Sequence, residues 1–554
     1  MITIILFCFE ALFAVQSNAN INVTIIHTTD IHGWINSHVH DSRYDAGVWD
    51  LYNFVDYYKR TAGPNDLVLL LDTGDLTQGT GLSDATPIQG QFIFDVMKLL
   101  PFDGLAIGNH ELGNEDCINN IADNFAPFWN GRYLGWNVEH TNPNKKLTGD
   151  YFTIKLPNNQ GNILVMGFLY NMHGAASNVK ITPINQLLTE NRFRKAFSEP
   201  NVKMIINLCH IATNASEIKQ LHNFISQHKP DTPQLYLTGH SHLIRTKDLD
   251  TLSTLDAATT SSHAFAMESG AFARQLGFIR FTLSPNGIQM NEEDGHMSNA
   301  VFIGENGIEM LDGGDLSSVS SDSLSSSLLS KLSFQHYFVN YNHKTMLSWT
   351  KTNDSTFNTP AGNSIHRMVS RKYYDLNLGR VIGYSKYHYY KNQRVEEGQH
   401  SLSRLVLDEM LPAWRWNINN AFFIVGTSSL RADIYEGTVV VDDVYAVDPF
   451  NNMMFAINNV SGEHINQLKK MRFDGRTFFD KYAASSTLID PNGRYTIISS
   501  EYDAKNLLSA LNTFAPGSYA MRSTSFSLRP IIHQFILKNW NNNSFSSFSE
   551  LAEE

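Results

Sequence analysis

The chain has 554 residues, more than one ordinary hydrophobic core supports, which predicts two domains. Hydrophobic residues make up 42% of the sequence and charged residues 17%, a globular composition that excludes extensive disorder. The formal net charge is −12, and a surface of this sign repels polyphosphate, so a nucleic-acid polymer is not an expected partner. A small phosphate ester is compatible with this charge, because bound divalent cations reverse the field locally.

Residues 1–19 are predicted to be a signal peptide, because an apolar run is followed there by small residues. A buried N-terminal strand or helix is the alternative, since the run lacks a basic start and contains Glu10. No later run is long enough to cross a bilayer, and the polar tail over 541–554 offers no segment for a lipid anchor. We therefore expect a secreted protein of the extracellular space or secretory lumen, with no membrane anchor. Glycosylation acceptors agree with secretion and occur at Asn22, Asn214, Asn353, Asn459 and Asn542.

Short apolar runs alternate with longer polar or amphipathic stretches over residues 20–285. The runs are rich in Val, Ile and Leu and are bounded by turn formers, which predicts buried strands of an α/β domain. They are Val23–Ile26, Leu67–Leu71, Gly104–Ile107, Asn162–Phe168, Met204–Leu208 and Gln234–Leu237. A Ser-rich, partly helical passage predicts a linker over 286–358, and a second domain is predicted over 359–540.

Five of these runs are followed, within a few residues, by side chains that can bind a metal ion. Because ligands bind at the carboxyl edge of the strands in open α/β sheets, we expect these side chains to converge on one site. Residues at i and i+2 of an extended chain point the same way, so a pair with this spacing offers two groups to one site. The predicted ligands are Asp30, His32, Asp75, Asn109, His210, His240 and His242.

The residue types indicate a hydrolytic metal site. Imidazole, carboxylate and amide oxygen, with no thiolate, suit Zn, Mn or Fe rather than a structural zinc. Gly74, Gly108 and Gly239 immediately precede predicted ligands, where a residue without Cβ lets the backbone turn sharply. Each motif alone also fits a surface turn, a solvated loop or a helix cap, but five of them in order at strand ends indicate one site. His27 is predicted to be an ordinary core histidine.

The ordered motifs resemble the calcineurin-like metallophosphoesterase superfamily. They are Asp30-x-His32, Gly74-Asp75, Gly108-Asn-His-Glu111, His210 and Gly239-His-Ser-His242. The context Asp72-Thr-Gly-Asp75 followed by Gly79-Thr80 is similar to a divergent branch of its 5'-nucleotidase family. The resemblance implies an α/β architecture, a four-layer α-β-β-α metallophosphoesterase domain followed by a smaller α+β 5'-nucleotidase-like domain. It also implies that the substrate is a small phosphate ester, a nucleotide above all.

The same resemblance implies two divalent metal ions. One ion would be bound by Asp30, His32, Asp75 and His242, and the other by Asp75, Asn109, His210 and His240. Asp75 would then bridge the two ions, which clamp the attacking and leaving oxygens of the reaction and lower the pKa of a water molecule.

His110 resembles the catalytic histidine of this family, which contacts the phosphoryl group and steadies its developing charge. Family members place an Asp three residues later to orient the ring, whereas Gly113 occupies that position here. Glu111, Glu115 and Asp116 are the candidates to replace it. We expect the change to alter efficiency or specificity without abolishing the chemistry.

The second domain resembles the nucleoside-binding domain of 5'-nucleotidases. Arg431 matches an arginine that grips the phosphate or carboxyl end of the ligand. Phe450 and Tyr502 match two aromatic residues that stack on the base, and Asn452 matches a polar contact beside the first of them. The alternative is that Phe450 and Tyr502 are core aromatics. The Asn-Gly-Gly-Gly of the family is replaced by Gly426-Thr-Ser-Ser429, which leaves nucleotide specificity open.

Three functions are compatible with these features. The first is a secreted 5'-nucleotidase-like phosphomonoesterase that uses metal-activated water. The second is hydrolysis of a phosphodiester or a nucleotide-sugar pyrophosphate at the same site. The third is a binding or surface protein with little turnover, which Gly113 favours and the complete set of seven ligands opposes.

Overall fold

The structure is a computed structural model that describes residues 20–249, 264–284, 287–289, 300–301, 335–391, 395–414, 416, 418, 420–473 and 475–540. The predicted signal peptide, most of the Ser-rich passage and the polar tail lie outside these residues. The chain forms two compact units. The N-terminal unit comprises the described residues up to 78 and from 86 to 371, and the C-terminal unit those of 79–85 and from 372 onward.

Two β-sheets form the centre of the N-terminal unit. Its described strands are β1 Ile21–Thr28, β2 Asp66–Asp72, β3 Gly104–Ala106, β4 Tyr133–Leu134, β5 Val138–His140, β6 Tyr151–Lys155, β7 Asn162–Leu169, β8 Val179–Ile181, β9 Val202–His210, β10 Gln234–Thr238, β11 Ile244–Asp248, β12 Ala264–Ser269, β13 Gln275–Ser284, β14 Gly287–Gln289, β15 Ala300–Val301 and β16 Gln335–Asn340. The first sheet has the order β15-β16-β13-β1-β2-β3-β4, with β14 beside β13. The second has the order β11-β12-β10-β9-β7-β6, and β5 pairs with β8.

The two sheets pack face to face, with helices on their outer faces. Ile25 and Leu71 of the first sheet share one buried cluster with Val165, Ile206 and Leu237 of the second. The predicted α-β-β-α arrangement is therefore confirmed, because each sheet buries its second face against helices. The described α-helices of this unit include Val48–Thr61, Gln91–Met97, Glu115–Asn120, Ile184–Leu187, Asn191–Ala196, Ser216–His228, His343–Thr350, Asp354–Phe357 and Pro360–Asp375.

The strands that precede the predicted ligands run parallel to their neighbours. In the first sheet β1 pairs with β2, and β2 with β3. In the second sheet β9 pairs in parallel with β7 and β10, and β10 with β12. Because neighbouring parallel strands end at the same edge, the loops after β1, β2 and β3 lie together, as do those after β9 and β10.

The first sheet is completed by a segment that the sequence places in a linker. Strand β16 pairs antiparallel with β13, from Asn340 opposite Gln275 to Gln335 opposite Arg280. Residues 335–358 therefore lie within this unit, which continues to residue 371, whereas the sequence predicts a linker over 286–358. The strand is hard to recognise because it is short and follows a Ser-rich passage, although its Phe338 and Val339 are buried.

The C-terminal unit is an α+β unit, as the fold prediction expects. Its described strands are β17 Val381–Ser385, β18 Tyr389–Tyr390, β19 His400–Ser401, β20 Ala421–Gly426, β21 Gly437–Val440, β22 Met453–Ser461, β23 Arg472–Phe473, β24 Arg476–Thr477, β25 Tyr482–Ala484, β26 Arg494–Ser500 and β27 Met521–Ser527. The main sheet has the order β25-β20-β26-β22-β27. Its described α-helices include Gly81–Asp84, Leu402–Leu405, Leu411–Ala413, Val441–Val447, Gly462–Leu468, Phe478–Lys481, Glu501–Phe514 and Leu528–Asn539.

Strand β20 shows how this sheet is buried on both faces. Phe423 and Val425 belong to one hydrophobic cluster, and Phe422 and Ile424 to another. This alternation is the period of two expected for a strand between two helical layers. Residues 79–85 also belong to this unit rather than to the first domain predicted from the sequence, and the backbone N–H of Gly81 donates to Oδ1 of Asp442 at 2.6 Å.

Among the described residues, no helix combines the length and the apolar character needed to cross a bilayer.

Candidate metal centre

The structure brings the seven predicted metal ligands into one cluster. Ligand atoms of Asp30, His32, Asp75 and His242 lie within 4.8 Å of one another, and so do those of Asp75, His210 and His240. Oδ1 of Asn109 lies 3.0 Å from Nε2 of His210 and so joins the second group. These are the two groups that the resemblance implies, with Asp75 in both. Their role as ligands stays a prediction.

The loops after β1 and β2 are held together by their backbones. The N–H of Asp30 donates to the carbonyl of Gly74 at 2.9 Å, and that of His32 to the carbonyl of Asp75 at 2.8 Å. Five predicted ligands adopt left-handed backbone conformations, each of which costs a residue with a Cβ of order 1–3 kcal/mol. The φ angles are +50° at Asp30 and His32, +56° at Asp75, +79° at His240 and +60° at His242.

Two of the histidines have their tautomers fixed by backbone carbonyls. Nδ1 of His32 lies 3.2 Å from the carbonyl oxygen of Thr77 and 3.1 Å from that of Gln78. Nδ1 of His210 lies 2.8 Å from the carbonyl oxygen of Thr73. Because a carbonyl only accepts, Nδ1 carries a proton in both rings, and Nε2 is the nitrogen that faces the cluster. Metal-binding histidines are oriented in this way in proteins.

Asp75 provides the test of whether these residues fit a cation. Its Oδ1 accepts from the backbone N–H of His110 at 2.8 Å. Its Oδ2 is buried and has no hydrogen-bond partner among the described residues. Three ring nitrogens surround that oxygen, Nε2 of His210 at 3.1 Å, of His32 at 3.6 Å and of His110 at 3.7 Å. A buried carboxylate oxygen in such a position fits a bridging ligand to divalent cations.

The electrostatics of the cluster favour bound positive charge. Burial alone would raise the pKa of Asp75, but the imidazoles of His210 and His110 hold that pKa well below its usual range. Burial lowers the pKa of His32 well below its usual value. For His210, burial is outweighed by Asp75 and Asp30, which raise its pKa to about 10. Ionised carboxylates and a neutral imidazole are forms that bind metals, and the negative charge of Asp75 and Asp30 that raises the pKa of His210 also attracts a metal cation.

Glu111, which the sequence offers as a candidate to orient His110, is instead a buried carboxylate that supports the cluster. Its Oε2 accepts from the backbone N–H groups of Gly108 at 2.8 Å and Asp75 at 3.1 Å. Its Oε1 accepts from the backbone N–H and the hydroxyl of Thr77, both at 3.0 Å. Burial, followed by the charge of Asp75, raises the pKa of Glu111 to about 7. This one side chain therefore fixes the loops after β2 and β3 to each other.

Glu268 supports the loop that carries His240 and His242. Its carboxylate accepts from the backbone N–H of Ser241 at 2.9 Å, from the hydroxyl of Ser241 at 2.7 Å and from the hydroxyl of Thr213 at 3.0 Å. None of the predicted sequence motifs contains this residue. The available signal was an acidic side chain near the carboxyl end of a further apolar run, Ala264–Ser269.

His110 is partly buried at the edge of the cluster, in a short 3₁₀ turn. Its Nδ1 contacts Oε1 of Gln78, a residue that the sequence analysis did not single out. The three carboxylates proposed to orient the ring lie elsewhere. Glu111 binds the loop backbones described above, and Glu115 and Asp116 are exposed.

His27 is a core histidine, as predicted. The side chain is buried, with Nδ1 2.7 Å from the hydroxyl of Ser269 and Nε2 2.9 Å from that of Thr73. Burial lowers the pKa of His27 to about 3, so the ring is neutral and links β1 to β12.

In the C-terminal unit, the structure brings Arg431 and Phe450 together. The guanidinium carbon of Arg431 lies 5.1 Å from the ring centroid of Phe450, which is half-buried. Asn452 donates from Nδ2 to Oδ1 of Asp448 at 2.8 Å. Tyr502 lies in the first turn of helix Glu501–Phe514 and is 70% exposed, so it is not a core aromatic. Whether these residues bind a nucleoside stays a prediction.

Comparisons with known protein families match both parts of the chain. Residues 23–243 match the calcineurin-like phosphoesterase family, and residues 388–526 match the C-terminal domain of NAD nucleotidase. An uncharacterised protein of Schizosaccharomyces pombe is 28% identical over 77% of this chain and 68% of its own length. A protein of Arthroderma benhamiae named as secreted is 26% identical over 78% of this chain and 64% of its own length. The chain thus spans about two thirds of the length of these fungal relatives.

The crystal structure of a 5'-nucleotidase from Candida albicans has a similar fold. It aligns over 94% of this chain and 99% of its own with a TM-score of 0.76 and 20% sequence identity. The fold and the site therefore agree with a calcineurin-like phosphoesterase domain over residues 23–243, and this is a family of phosphoester hydrolases that use divalent metals. This domain is followed by one that matches the C-terminal domain of NAD nucleotidase, and the fold of the two together is similar to that of a 5'-nucleotidase.

Proposed function

We propose that this protein is a secreted, metal-dependent phosphomonoesterase that acts on nucleotides. The observation that carries the proposal is the cluster of the seven predicted ligands. One of them, Asp75, has a buried Oδ2 with no hydrogen-bond partner among the described residues. Two divalent cations, chosen from Zn, Mn and Fe, would be held by the two groups of residues described above. When bound, such ions place positive charge beside a phosphate and lower the pKa of a water molecule.

The chain's own residues would prepare the site for a phosphate. Asp75 stays ionised between several imidazoles, and the carbonyl-bound Nδ1 atoms keep the rings of His32 and His210 in one orientation. His110 stands at the partly accessible edge, and when both ring nitrogens are protonated its Nε2 can donate a hydrogen bond to a phosphoryl oxygen. Donors that are oriented before negative charge develops contribute most to stabilising a transition state.

Nucleotide recognition is proposed for the C-terminal unit. Arg431 carries a donor fork suited to a phosphate or carboxyl group, and it lies beside the half-buried ring of Phe450. Phe450 and the exposed Tyr502 would each contribute roughly 1–3 kcal/mol by stacking on a base. Asn452 would add a polar contact to the base.

A pyrophosphate bond is the second candidate target. The specific observation is that residues 388–526 match the C-terminal domain of an enzyme named NAD nucleotidase. The same metal cluster can cleave a phosphomonoester, a phosphodiester or a pyrophosphate, so the substrate pocket decides between them.

Secretion is supported by the apolar N-terminal run and by the relative of Arthroderma benhamiae that is named as secreted. Expression of the full chain in a secreting eukaryotic host tests it. We expect the product in the medium, with its first residue at position 20. Retention of residues 1–19 on an intracellular product would contradict the prediction.

The activity is tested by phosphate release in the presence of Mn or Zn. The panel contains nucleoside monophosphates, NAD, nucleotide-sugars and bis(p-nitrophenyl) phosphate. Cleavage of the last three yields phosphomonoesters, so a phosphatase is added to those assays to release the phosphate that is measured. The wild type is compared with Asp75→Ala, His110→Ala and a control, Glu115→Gln, at an exposed residue.

We expect release from monophosphates without the added phosphatase, lost in the first two variants and retained in the control. Preference for NAD or a nucleotide-sugar would favour the pyrophosphate alternative. A wild-type protein that binds metal and releases nothing from any substrate would contradict catalysis and favour a binding role.

A further inference from the structure

We infer that Gln78 is a positioning residue for His110, holding the imidazole through a neutral amide oxygen. The inference rests on the proposed function, and it adds a residue that neither the sequence motifs nor the family comparisons assign. It would explain how His110 is oriented although Gly113 provides no side chain to do so.

The contact is a direct one at the metal cluster. Oε1 of Gln78 is within hydrogen-bond distance of Nδ1 of His110. The backbone carbonyl of the same residue accepts from Nδ1 of His32 at 3.1 Å. Gln78 therefore contacts both the proposed catalytic histidine and a predicted metal ligand, one with its side chain and the other with its backbone.

The backbone of this loop is held in a defined conformation. Gln78 has a φ of +68°, a left-handed conformation that residues with a Cβ rarely adopt. The preceding residue, Thr77, is bound to Glu111 by both its backbone N–H and its hydroxyl. Glu111 lies next to His110 in the same 3₁₀ turn. Gln78 and His110 are thus also linked through their neighbours Thr77 and Glu111, independently of their direct contact. This second link holds the two residues at a fixed distance.

The chemistry of the amide sets the state of the ring. An amide oxygen only accepts hydrogen bonds, so Nδ1 of His110 carries a proton and Nε2 is the atom turned toward Asp75 Oδ2, 3.7 Å away. The contact therefore fixes the rotation of the ring and leaves Nε2 as the nitrogen that faces the cluster.

A double-mutant cycle tests the inference. Gln78→Met keeps the length of the side chain and removes the acceptor, whereas Gln78→Glu keeps an acceptor oxygen. We expect kcat of Gln78→Met to fall roughly 10–100-fold, as for other residues that orient an active-site histidine, with KM and metal content close to wild type. Gln78→Glu should retain most of the activity. In a His110→Ala background, Gln78→Met should cause no further loss, because the ring that it orients is absent.

Three results would overturn the inference while leaving the proposed function intact. They are an unchanged kcat in Gln78→Met, a loss that adds fully to that of His110→Ala, and a loss accompanied by reduced metal content. The first would show that the contact does not matter for the reaction. The second and third would show that Gln78 acts on the metal cluster rather than on His110. Failure of the wild type to release phosphate with metal bound would overturn both proposals.

Discussion

Strained backbone conformations are concentrated around the metal centre at the scale of single residues. Besides the five predicted ligands, Gln78 and Phe272 have φ angles of +68° and +61°. The N–H of Phe272 donates to the carbonyl of Asp30 at 2.8 Å, and its own carbonyl lies 2.6 Å from Nε2 of His38. Such conformations persist only where surrounding bonds enforce them, and they mark sites where side chains must be held in place.

Gly74 and Gly113 offer a matched pair of glycine substitutions. Gly74 has a φ of +93°, and a Cβ there would lie 2.6 Å from the backbone nitrogen of Gly108. Gly113 has a φ of −86°, and nothing lies within 4 Å of an added Cβ. We expect Gly74→Ala to lower the free energy of unfolding by more than about 2 kcal/mol and Gly113→Ala to change it by less than about 0.5 kcal/mol. Urea unfolding measures both, and equal effects would contradict the described backbone.

Glu111→Gln tests the carboxylate that joins the two loops. The replacement amide has one acceptor oxygen, and its NH₂ group would face backbone N–H donors, so at least one buried group loses its partner. We expect the free energy of unfolding to fall by about 1–3 kcal/mol and metal occupancy after dialysis to decrease. Denaturant unfolding and elemental analysis measure these effects. Glu115→Gln, at an exposed position, should leave both unchanged. Full metal occupancy in Glu111→Gln would contradict the proposed support.

At the scale of elements, His343 connects three helices of the N-terminal unit. It begins helix His343–Thr350, and its Nδ1 lies 2.8 Å from Oδ1 of Asp50 in helix Val48–Thr61. Its Nε2 lies 2.6 Å from Oδ1 of Asp354 in helix Asp354–Phe357. The hydrogen bond to Asp50 outweighs burial and, with that to Asp354, raises the pKa of His343 to about 9. The segment that the sequence placed in a linker is therefore attached to the unit by a charged contact.

This raised pKa predicts how stability changes with pH. A histidine whose pKa is raised in the folded state stabilises fully below its unfolded pKa of about 6.5, and the contribution disappears as the pH rises toward about 9. The melting temperature of His343→Gln should thus lie below that of the wild type at pH 6, with the difference shrinking by pH 9.5. Asp354→Asn should show a smaller difference with the same trend. A difference that is constant across this range would contradict the ion pairs.

At the scale of the whole molecule, the metal cluster belongs to one unit only. All seven predicted ligands come from the N-terminal unit, whose hydrophobic core lies between its two sheets. The C-terminal unit has separate hydrophobic clusters on the two faces of its own sheet. Ligand binding stabilises the part of a protein that binds it, so metal should act on the two units differently.

Removal of metal should therefore destabilise the N-terminal unit selectively. A cation at 100 times its Kd stabilises the folded state by about 2.7 kcal/mol, which corresponds to a shift of a few degrees in melting temperature. Calorimetry with and without a chelator should show a lower transition for the N-terminal unit and an unchanged one for the C-terminal unit. In Asp75→Ala the chelator should have no effect. Equal shifts in both transitions would contradict a metal site confined to one unit.

The sequence by itself determined the features that depend on the order of neighbouring residues along the chain. The apolar runs predicted the ligand-bearing strands, because buried parallel strands are short, apolar and bounded by turn formers. The predicted ligands converge because each lies at or shortly after the carboxyl end of such a strand, and these ends meet at one edge of a parallel sheet. The family resemblance rests on the motifs at these strand ends, so it can be recognised from the sequence alone.

The tertiary structure alone decided which side chains support the site. Glu111 lies 36 residues from Asp75 along the chain, and Gln78 lies 32 residues from His110, so no local sequence pattern predicts either contact. Likewise β16 becomes a strand only because β13 offers it an edge, and residues 79–85 join the C-terminal unit through a bond to Asp442. Spacing along the chain predicts which residues lie together at the end of a strand. Contacts between distant loops depend on how the layers pack, which only the folded structure specifies.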